Sequence, residues 1–405
     1  MKLFKFSIIA ATLVGLTACN TVEAPSKAQE LQSRIDALEA DIQSGKYGLI
    51  DEILLQHKGQ TVFHLIFSHP YDDFAKGKDL KGHPFEYDNP AWHPYYRDTS
   101  AHTLQSVSKS VTSILIGVLE EKGLISRVGD AKFLDFVDMR KYDIPNRDAN
   151  FEALTLQHLL TMRDNFDWVE NPDWGWHEDL DRIDEIDVSA SDVVILEQET
   201  DNWIQYILNK GLKGAPGEDA PWSYNSGATQ LMSVVIEHVT GLKASEFAHE
   251  QLFRPMGISD YYWKETNAGS NDMLGGLYLK STDLVMFCEL MTSGGLWNGK
   301  RLISEDYVNR SLTEWTDTFG DNEVWPPRAY GYQWWLSDPA FSGKKAFLAS
   351  GYGGEYLTCL PESDTAMVTY SWNLPKVLDI DLDVHYRTAA WAVRKRVNDE
   401  ILPLL

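Results

Sequence analysis

The 405-residue sequence predicts an α+β fold: an antiparallel β-sheet flanked by terminal helices, with a mainly helical subdomain inserted between its strands. Three observations predict it. Strand-like runs lie at both ends of the chain, over residues 50–70 and 330–372. Residues from about 100 to 310 carry apolar side chains mostly at helical spacing, and an amphipathic helical pattern stands near each terminus. Strands contributed from both ends with helices between them must meet in one sheet, and the helices then cover its faces.

In chain order, Met1-Lys2-Leu3-Phe4-Lys5 precedes an apolar run from Ile8 to Leu16 and then Leu16-Thr17-Ala18-Cys19. This reads as a lipoprotein signal peptide over residues 1–18, with Cys19 as the lipidated first residue of the mature chain. An ordinary signal peptide cut near Ala18 is the alternative. The run is shorter than the roughly 20 residues a spanning helix needs. Residues 19–45 form a tether and a helix with Leu31, Ile35, Leu38 and Ile42 on one face, too short for a coiled coil and suited to packing on the body of the protein. The remaining residues, 46–405, read as one domain, and the 43% hydrophobic composition of the whole chain supplies ample material for a core.

Leu54 to His57 and Thr61 to Phe67, around Lys58-Gly59-Gln60, read as a hairpin. Residues 68–99 are polar and irregular; His69, His83 and His93 lack metal-ligand spacing, and no His-Glu-x-x-His occurs, so no metal and no cofactor is expected. Leu156 to Met162 and Leu231 to Val239 read as apolar helices. Between them, Phe166, Trp168, Trp174 and Trp176 stand among acids, as a wall of a cleft or as the packing of a long loop. Gly294-Gly295 marks a turn. Strand-like runs follow at Tyr330 to Leu336, Lys345 to Ala349, Glu355 to Leu360 and Ala366 to Trp372, before a final helix of roughly Val384 to Leu402. Cys288 and Cys359 fall on apolar stretches and read as two buried thiols.

The chemistry concentrates in Gln105-Ser106-Val107-Ser108-Lys109-Ser110. The residues from Ser110 to Leu119 carry no charge and place Val111, Ile114, Leu115 and Val118 at helical spacing, up to Glu120-Glu121-Lys122-Gly123. Ser106 and Lys109 therefore share one face at the head of a buried helix, close enough for the amine to reach the hydroxyl. Ser-x-x-Lys also occurs by chance, and Ser342-Gly343-Lys344-Lys345 is such a match, in a polar loop with no apolar helix after it.

With its flanks, the Ser106–Lys109 segment resembles the nucleophile helix of the serine β-lactamase and penicillin-binding-protein family, in its class C, esterase-like and 6-aminohexanoate-dimer hydrolase-like branch. Pro216-Gly217 and Trp222-Ser223-Tyr224-Asn225-Ser226-Gly227 are similar to the segment carrying that family's catalytic tyrosine. Phe253-Arg254-Pro255-Met256-Gly257-Ile258 and the run from Gly275 to Leu284 follow its pattern too. The resemblance covers about Leu54 to Trp372 and implies the β-lactamase/transpeptidase-like fold. It implies a serine hydrolase that cleaves an ester or amide through an acyl-enzyme on Ser106, with Lys109 and Tyr224 as a joint general acid/base pair. The oxyanion would be held by the backbone N–H groups of Ser106 and Glu355, the latter placed by Gly353-Gly354.

Two departures bear on substrate. The family's second motif is often Tyr-x-Asn, an amide that contacts the acyl group, whereas Tyr224 is followed by Asn225 and then Ser226. The third motif, Lys-Thr-Gly or His-x-Gly in lactamases, is Tyr352-Gly353-Gly354 here, so the cation that would hold a β-lactam carboxylate is missing. A true β-lactamase or D-alanyl-D-alanine peptidase is the second reading within enzymes, and a non-catalytic lipid-anchored binding protein of the same fold the third. No Gly-x-Ser-x-Gly elbow and no phosphate-binding loop appears. The net charge of -24 repels nucleic acid and anionic membranes, so the expected partner is a small ester or amide and membrane attachment would come from lipid alone, on the periplasmic side of a bacterial envelope.

Overall fold

The structure is a computed structural model, and it describes residues 25–76, 93–97, 99–170, 191–317, 329–373 and 386–405. The signal-peptide segment, Cys19, His83, Trp174 and Trp176 lie outside the described residues. Eight strands form one sheet: β1 (Ile50–His57), β2 (Gln60–Ile66), β3 (Thr316–Asp317), β4 (Ala329–Tyr330), β5 (Trp335–Leu336), β6 (Phe347–Ser350), β7 (Tyr356–Leu360) and β8 (Thr365–Ser371). Their spatial order is β2-β1-β8-β7-β6-β5-β4-β3, and the pairings are antiparallel. Among the described residues the last strand thus pairs with the first, Leu54 opposite Val368, which closes the sheet around the helical insertion.

Local chemistry accounts for the hairpin. His57 and Gln60 pair across Lys58-Gly59, both of which take positive φ (51° and 71°), the conformation of a two-residue turn matched to strand twist. The following strand, β2, is the sheet edge and alternates exposed and covered positions; β8, in the middle, is buried along nearly its whole length. The run from Tyr330 to Leu336 is two short strands, not one. Gly331 approaches the Ser311 carbonyl so closely that a Cβ would lie 2.0 Å from it, and Gln333 takes φ 61° to donate its N–H to Leu160 O at 3.0 Å. The chain turns there to brace the helical part.

Apolar side chains fill both faces of the sheet. On one, Ile35, Leu38 and Ile42 from the Lys27–Gln43 helix meet Val393, Val397 and Ile401 from the C-terminal helix over Ile53, Leu55 and Phe63. The N-terminal helix starts on a capping box, Ser26 with Gln29. On the other face, the Val107–Glu121 helix is buried from Val107 to Leu119 on all sides and packs with the helices Leu156–Leu160, Met232–Thr240 and Met286–Thr292. Its polar residues are paired: the Ser110 hydroxyl donates to Gln333 O (2.6 Å), and the Thr112 hydroxyl to Ser108 O (3.0 Å). Gly117 is flush against Ile303 and Tyr307, where a Cβ would fall 2.6 Å from each.

The two cysteines are not free thiols. Cys288, on the Met286–Thr292 helix, and Cys359, in β7, form a disulfide with Cα atoms 5.5 Å apart. Both are buried, as their apolar settings suggested, but the helix crosses the sheet with the two side chains facing each other across a distance suited to a bridge.

Candidate active site

Ser106 stands at the N-cap of the buried helix, and the residue before it, Gln105, has φ 45°. The first turn is closed by Val107 N–H to Leu104 O, Ser108 N–H to Gln105 O and Lys109 N–H to Ser106 O. Lys109 is then one turn in and 1% exposed, and its amine donates to Ser106 Oγ at 2.7 Å and to Leu274 O at 2.7 Å. Burial lowers the Lys109 pKa to about 8, against the pull of Glu170 first, then Asp272 and Glu197, which favour the cation. The same amine lies 5.2 Å from the centroid of the Tyr224 ring. That ring is stacked on Trp335 (5.8 Å, 10°) and flanked by Trp222. The fold therefore brings Tyr224 to the Ser106–Lys109 pair from more than a hundred residues further along the chain.

The residues after Tyr224 are held from the segment 164–170. Asn225 is 1% exposed; its Nδ2 donates to Asp164 Oδ1 (2.8 Å) and its Oδ1 caps the next helix by accepting from Ala228 N–H (3.0 Å). That amide is structural. Ser226 is 2% exposed and donates its N–H to Glu170 Oε2 (2.9 Å) and its hydroxyl to Glu170 Oε1. Trp168 Nε1–H reaches the same carboxylate at 2.7 Å, and its ring lies against Gly227, where a Cβ would meet it at 2.8 Å. Phe166 and Trp168 are thus packing groups, 3% and 4% exposed. Asp164 pays for its burial with a pKa raised to about 6.

Tyr352, Gly353 and Gly354 follow β6. The two glycines take φ 105° and 109°, and a Cβ on Gly354 would fall 2.1 Å from Ser371 Oγ. Gly353 O accepts from Ser371 Oγ (2.7 Å) and Asn373 N–H (3.0 Å), which ties the loop to β8. Gly351 approaches Leu104 O, two residues before Ser106, so the glycine loop lies beside the nucleophile segment. The Glu355 carboxyl is fully buried, neither of its oxygens has a hydrogen-bond partner among the described residues, and burial pushes its pKa well above the usual carboxylate range. Burial thus favours the neutral acid over the carboxylate. Sequence reasoning did not single out Asp164 and Glu170, because acids in a polar loop carry no periodicity or spacing that separates them from solvated neighbours. No group of three or more candidate metal ligands occurs among the described residues.

A sheet closed by both chain ends, with a serine at the head of the buried helix and a lysine one turn later, belongs to the β-lactamase/transpeptidase class of serine hydrolases. The comparison with family models agrees: the model described as Beta-lactamase matches residues 53–383, and the chain belongs to that family. It is similar to the 6-aminohexanoate-dimer hydrolase of Paenarthrobacter ureafaciens, 23% identical over an alignment of 298 residues that covers 68% of this chain and 68% of that protein. A penicillin-binding protein of Bacillus subtilis (strain 168) is 25% identical over 191 residues, 46% of this chain and only 36% of that protein. Among solved structures, a family VIII carboxylesterase superposes with a TM-score of 0.60 at 15% identity, covering 93% of this chain and 98% of its own. The chain is a β-lactamase-related hydrolase.

Proposed function

We propose that the protein hydrolyses an ester or amide through an acyl-enzyme on Ser106. The observation that carries this reading is the buried Lys109 amine, 2.7 Å from Ser106 Oγ and 5.2 Å from the Tyr224 ring centroid. A lysine with an unperturbed pKa is neutral about once in 2,500 molecules at pH 7; at about 8 the neutral fraction is roughly one in ten. Lys109 and Tyr224 act as one coupled acid/base unit. The unit takes the Ser106 proton as Oγ bonds to the acyl carbon and gives it to the departing alcohol or amine as the C–O or C–N bond breaks. Water then attacks the acyl-enzyme, the unit accepts its proton, and Ser106 leaves with one restored. The N–H groups of Ser106 and Glu355 are the oxyanion donors in this scheme, and Glu355 serves best as a neutral acid, since a carboxylate there would oppose the oxyanion.

Neutral short-chain esters are the preferred substrates over anionic β-lactams, because Tyr352 offers a neutral hydroxyl where lactamases carry a cation. Intact-protein mass spectrometry after a fluorophosphonate probe tests the nucleophile: a single adduct on the wild type, absent in Ser106→Ala, is expected, and labelling of the variant would overturn it. The reading of Cys19 as a lipidated residue facing the periplasm is supported by the Cys288–Cys359 disulfide, which suits an oxidising compartment. Labelled palmitate should enter the wild type and not Cys19→Ser; wild type released as a soluble species would sink the anchor.

A further inference from the structure

The Lys109 amine is aimed by two acceptors, Ser106 Oγ and Leu274 O, each at 2.7 Å. Leu274 lies in a turn, outside any strand or helix, so its carbonyl needs support from elsewhere. Asp272 supplies it. This residue is 2% exposed, and its Oδ1 accepts from the Leu274 N–H at 3.1 Å and the Gly275 N–H at 3.0 Å. The Gly275 N–H and the Leu274 carbonyl belong to one planar trans peptide unit and point opposite ways. Holding the N–H on Asp272 therefore turns Leu274 O toward Lys109. Asp272 is itself fixed: its N–H donates to Lys264 O (2.9 Å), its carbonyl accepts from Trp263 Nε1–H (2.7 Å), and a Cβ on Gly276 would lie 2.6 Å from its Cβ.

The same turn is bonded to both helices that carry the acid/base unit. Gln230, fully buried at the end of the helix Ser226–Gln230 that begins just after Tyr224, brackets Asp272: its Nε2 donates to Asn271 O (2.8 Å), and its Oε1 accepts from Met273 N–H (2.9 Å). Thr112, on the helix of Lys109, donates its hydroxyl to Met273 O at 3.2 Å. Charge acts as well. Burial lowers the Lys109 pKa, and Glu170, Asp272 and Glu197 act against it in that order. At the Asp272 carboxylate stands Lys264, with Nζ 3.9 Å from Oδ2, and its charge also reaches Glu197, Tyr262 and Tyr278.

We propose, on the acyl-enzyme reading above, that Asp272 is a positioning residue for the reaction: through the Leu274–Gly275 peptide it aims the Lys109 amine at Ser106 Oγ, and its charge favours the cationic amine. The two roles are separable, because an asparagine keeps an acceptor oxygen for the two N–H groups and discards the charge.

The test follows p-nitrophenyl acetate hydrolysis by the full chain as a function of pH. Asp272→Ala removes both roles, and kcat on the alkaline plateau should fall about a hundredfold with KM changed less, the loss that follows when a reacting group is displaced by about 1 Å. Asp272→Asn should recover most of that loss. Its acid limb of kcat/KM should move to lower pH by about half a unit, so that activity at about pH 6 relative to the plateau rises about threefold. An acid limb that stays in place in Asp272→Asn, or a plateau kcat in Asp272→Ala within about threefold of the wild type, overturns the assignment. Should Asp272→Ala not fold, Asp272→Asn decides alone, a shifted limb supporting the assignment and an unmoved one overturning it. Ser106→Ala keeps the two layers apart. If it is dead on the ester, a failed limb shift sinks the Asp272 proposal alone; if it still turns the ester over, the nucleophile and the inference fall together.

Discussion

Replacing Lys109 by methionine separates the energetics of the site from those of the fold. The amine is 1% exposed, and burial lowers its pKa from 10.5 to about 8. At about 1.4 kcal/mol per unit, holding the cation inside costs the folded state on the order of 3 kcal/mol. Below about pH 8 both folded and unfolded chains carry the proton, and the cost is fully present. Between about pH 8 and 10.5 the folded chain has released it and the unfolded chain has not, so this residue makes stability rise with pH across that window. Methionine matches the length without the charge, and it forfeits the donors to Ser106 Oγ and Leu274 O, about 1 kcal/mol each. The balance favours the variant by about 1 kcal/mol at pH 7. With an unfolding entropy of roughly 0.8 kcal/mol/K for a chain of this length, Tm should rise by about 1 °C. Activity on p-nitrophenyl acetate should fall about a thousandfold. Calorimetry at about pH 7 and 10 checks the sign, since the advantage should vanish at the higher pH as the wild-type lysine discharges. For the wild type, kcat/KM should climb about tenfold per pH unit toward an apparent pKa near 8. A variant several degrees less stable at pH 7, or a rate flat between about pH 6 and 9, would refute the assignment of Lys109 as a strained, functional amine.

Three further outcomes follow from the geometry. The Cys288–Cys359 bridge closes a 71-residue separation, which constrains the unfolded chain by about 4 kcal/mol; Cys288→Ala/Cys359→Ala should melt about 5 °C lower, and alkylation of unreduced, denatured wild type should leave both cysteines unlabelled. Gly354→Ala places a Cβ against Ser371 Oγ at φ 109°, so kcat should fall about a hundredfold with KM less affected and the circular dichroism spectrum retained; a variant with wild-type kcat would detach the loop from the reaction. Lys109→Ala with Tyr224→Phe should be no worse than about the poorer single variant, because residues acting as one unit are non-additive; multiplicative losses would separate their roles.

The parts legible in the sequence are those that physical periodicity or close approach enforces. An uncharged stretch from Ser110 to Leu119 must be buried, and the spacing of Ser106 and Lys109 on its leading turn follows from helix geometry alone. That strands from opposite chain ends meet in one sheet was legible because strand-like runs stand at both ends with helical patterns between them, although β1 begins at Ile50, four residues before the Leu54 the sequence suggested. The break between β4 and β5 was not, since Tyr330 to Leu336 is mostly aromatic, and the turn comes from the approach of Gly331 to the Ser311 carbonyl and the positive φ of Gln333. The disulfide escaped as well. Burial of Cys288 and Cys359 was readable from their neighbours, but their mutual distance depends on how the Met286–Thr292 helix crosses β7.

The supports of the tyrosine segment were hidden for a different reason. Catalytic motifs advertise themselves because their members lie a few residues apart, whereas the groups that hold Asn225 and Ser226 come from Asp164 and Glu170, about sixty residues upstream in a loop rich in acids. Each of these acids looks solvated in sequence. In the fold Asp164 is 2% exposed and keeps Asn225 as a cap, and Glu170 accepts from both the hydroxyl and the N–H of Ser226. The departure at Ser226 has a structural cause: its hydroxyl and its N–H both donate to Glu170, and a longer amide side chain at a position 2% exposed would displace that bridge. The hydroxyl at 226 and the acid at 170 belong together, so Ser226→Asn should lower Tm and turnover of a neutral p-nitrophenyl ester together, and a variant with wild-type Tm and turnover would show that the bridge to Glu170 does not hold the tyrosine segment.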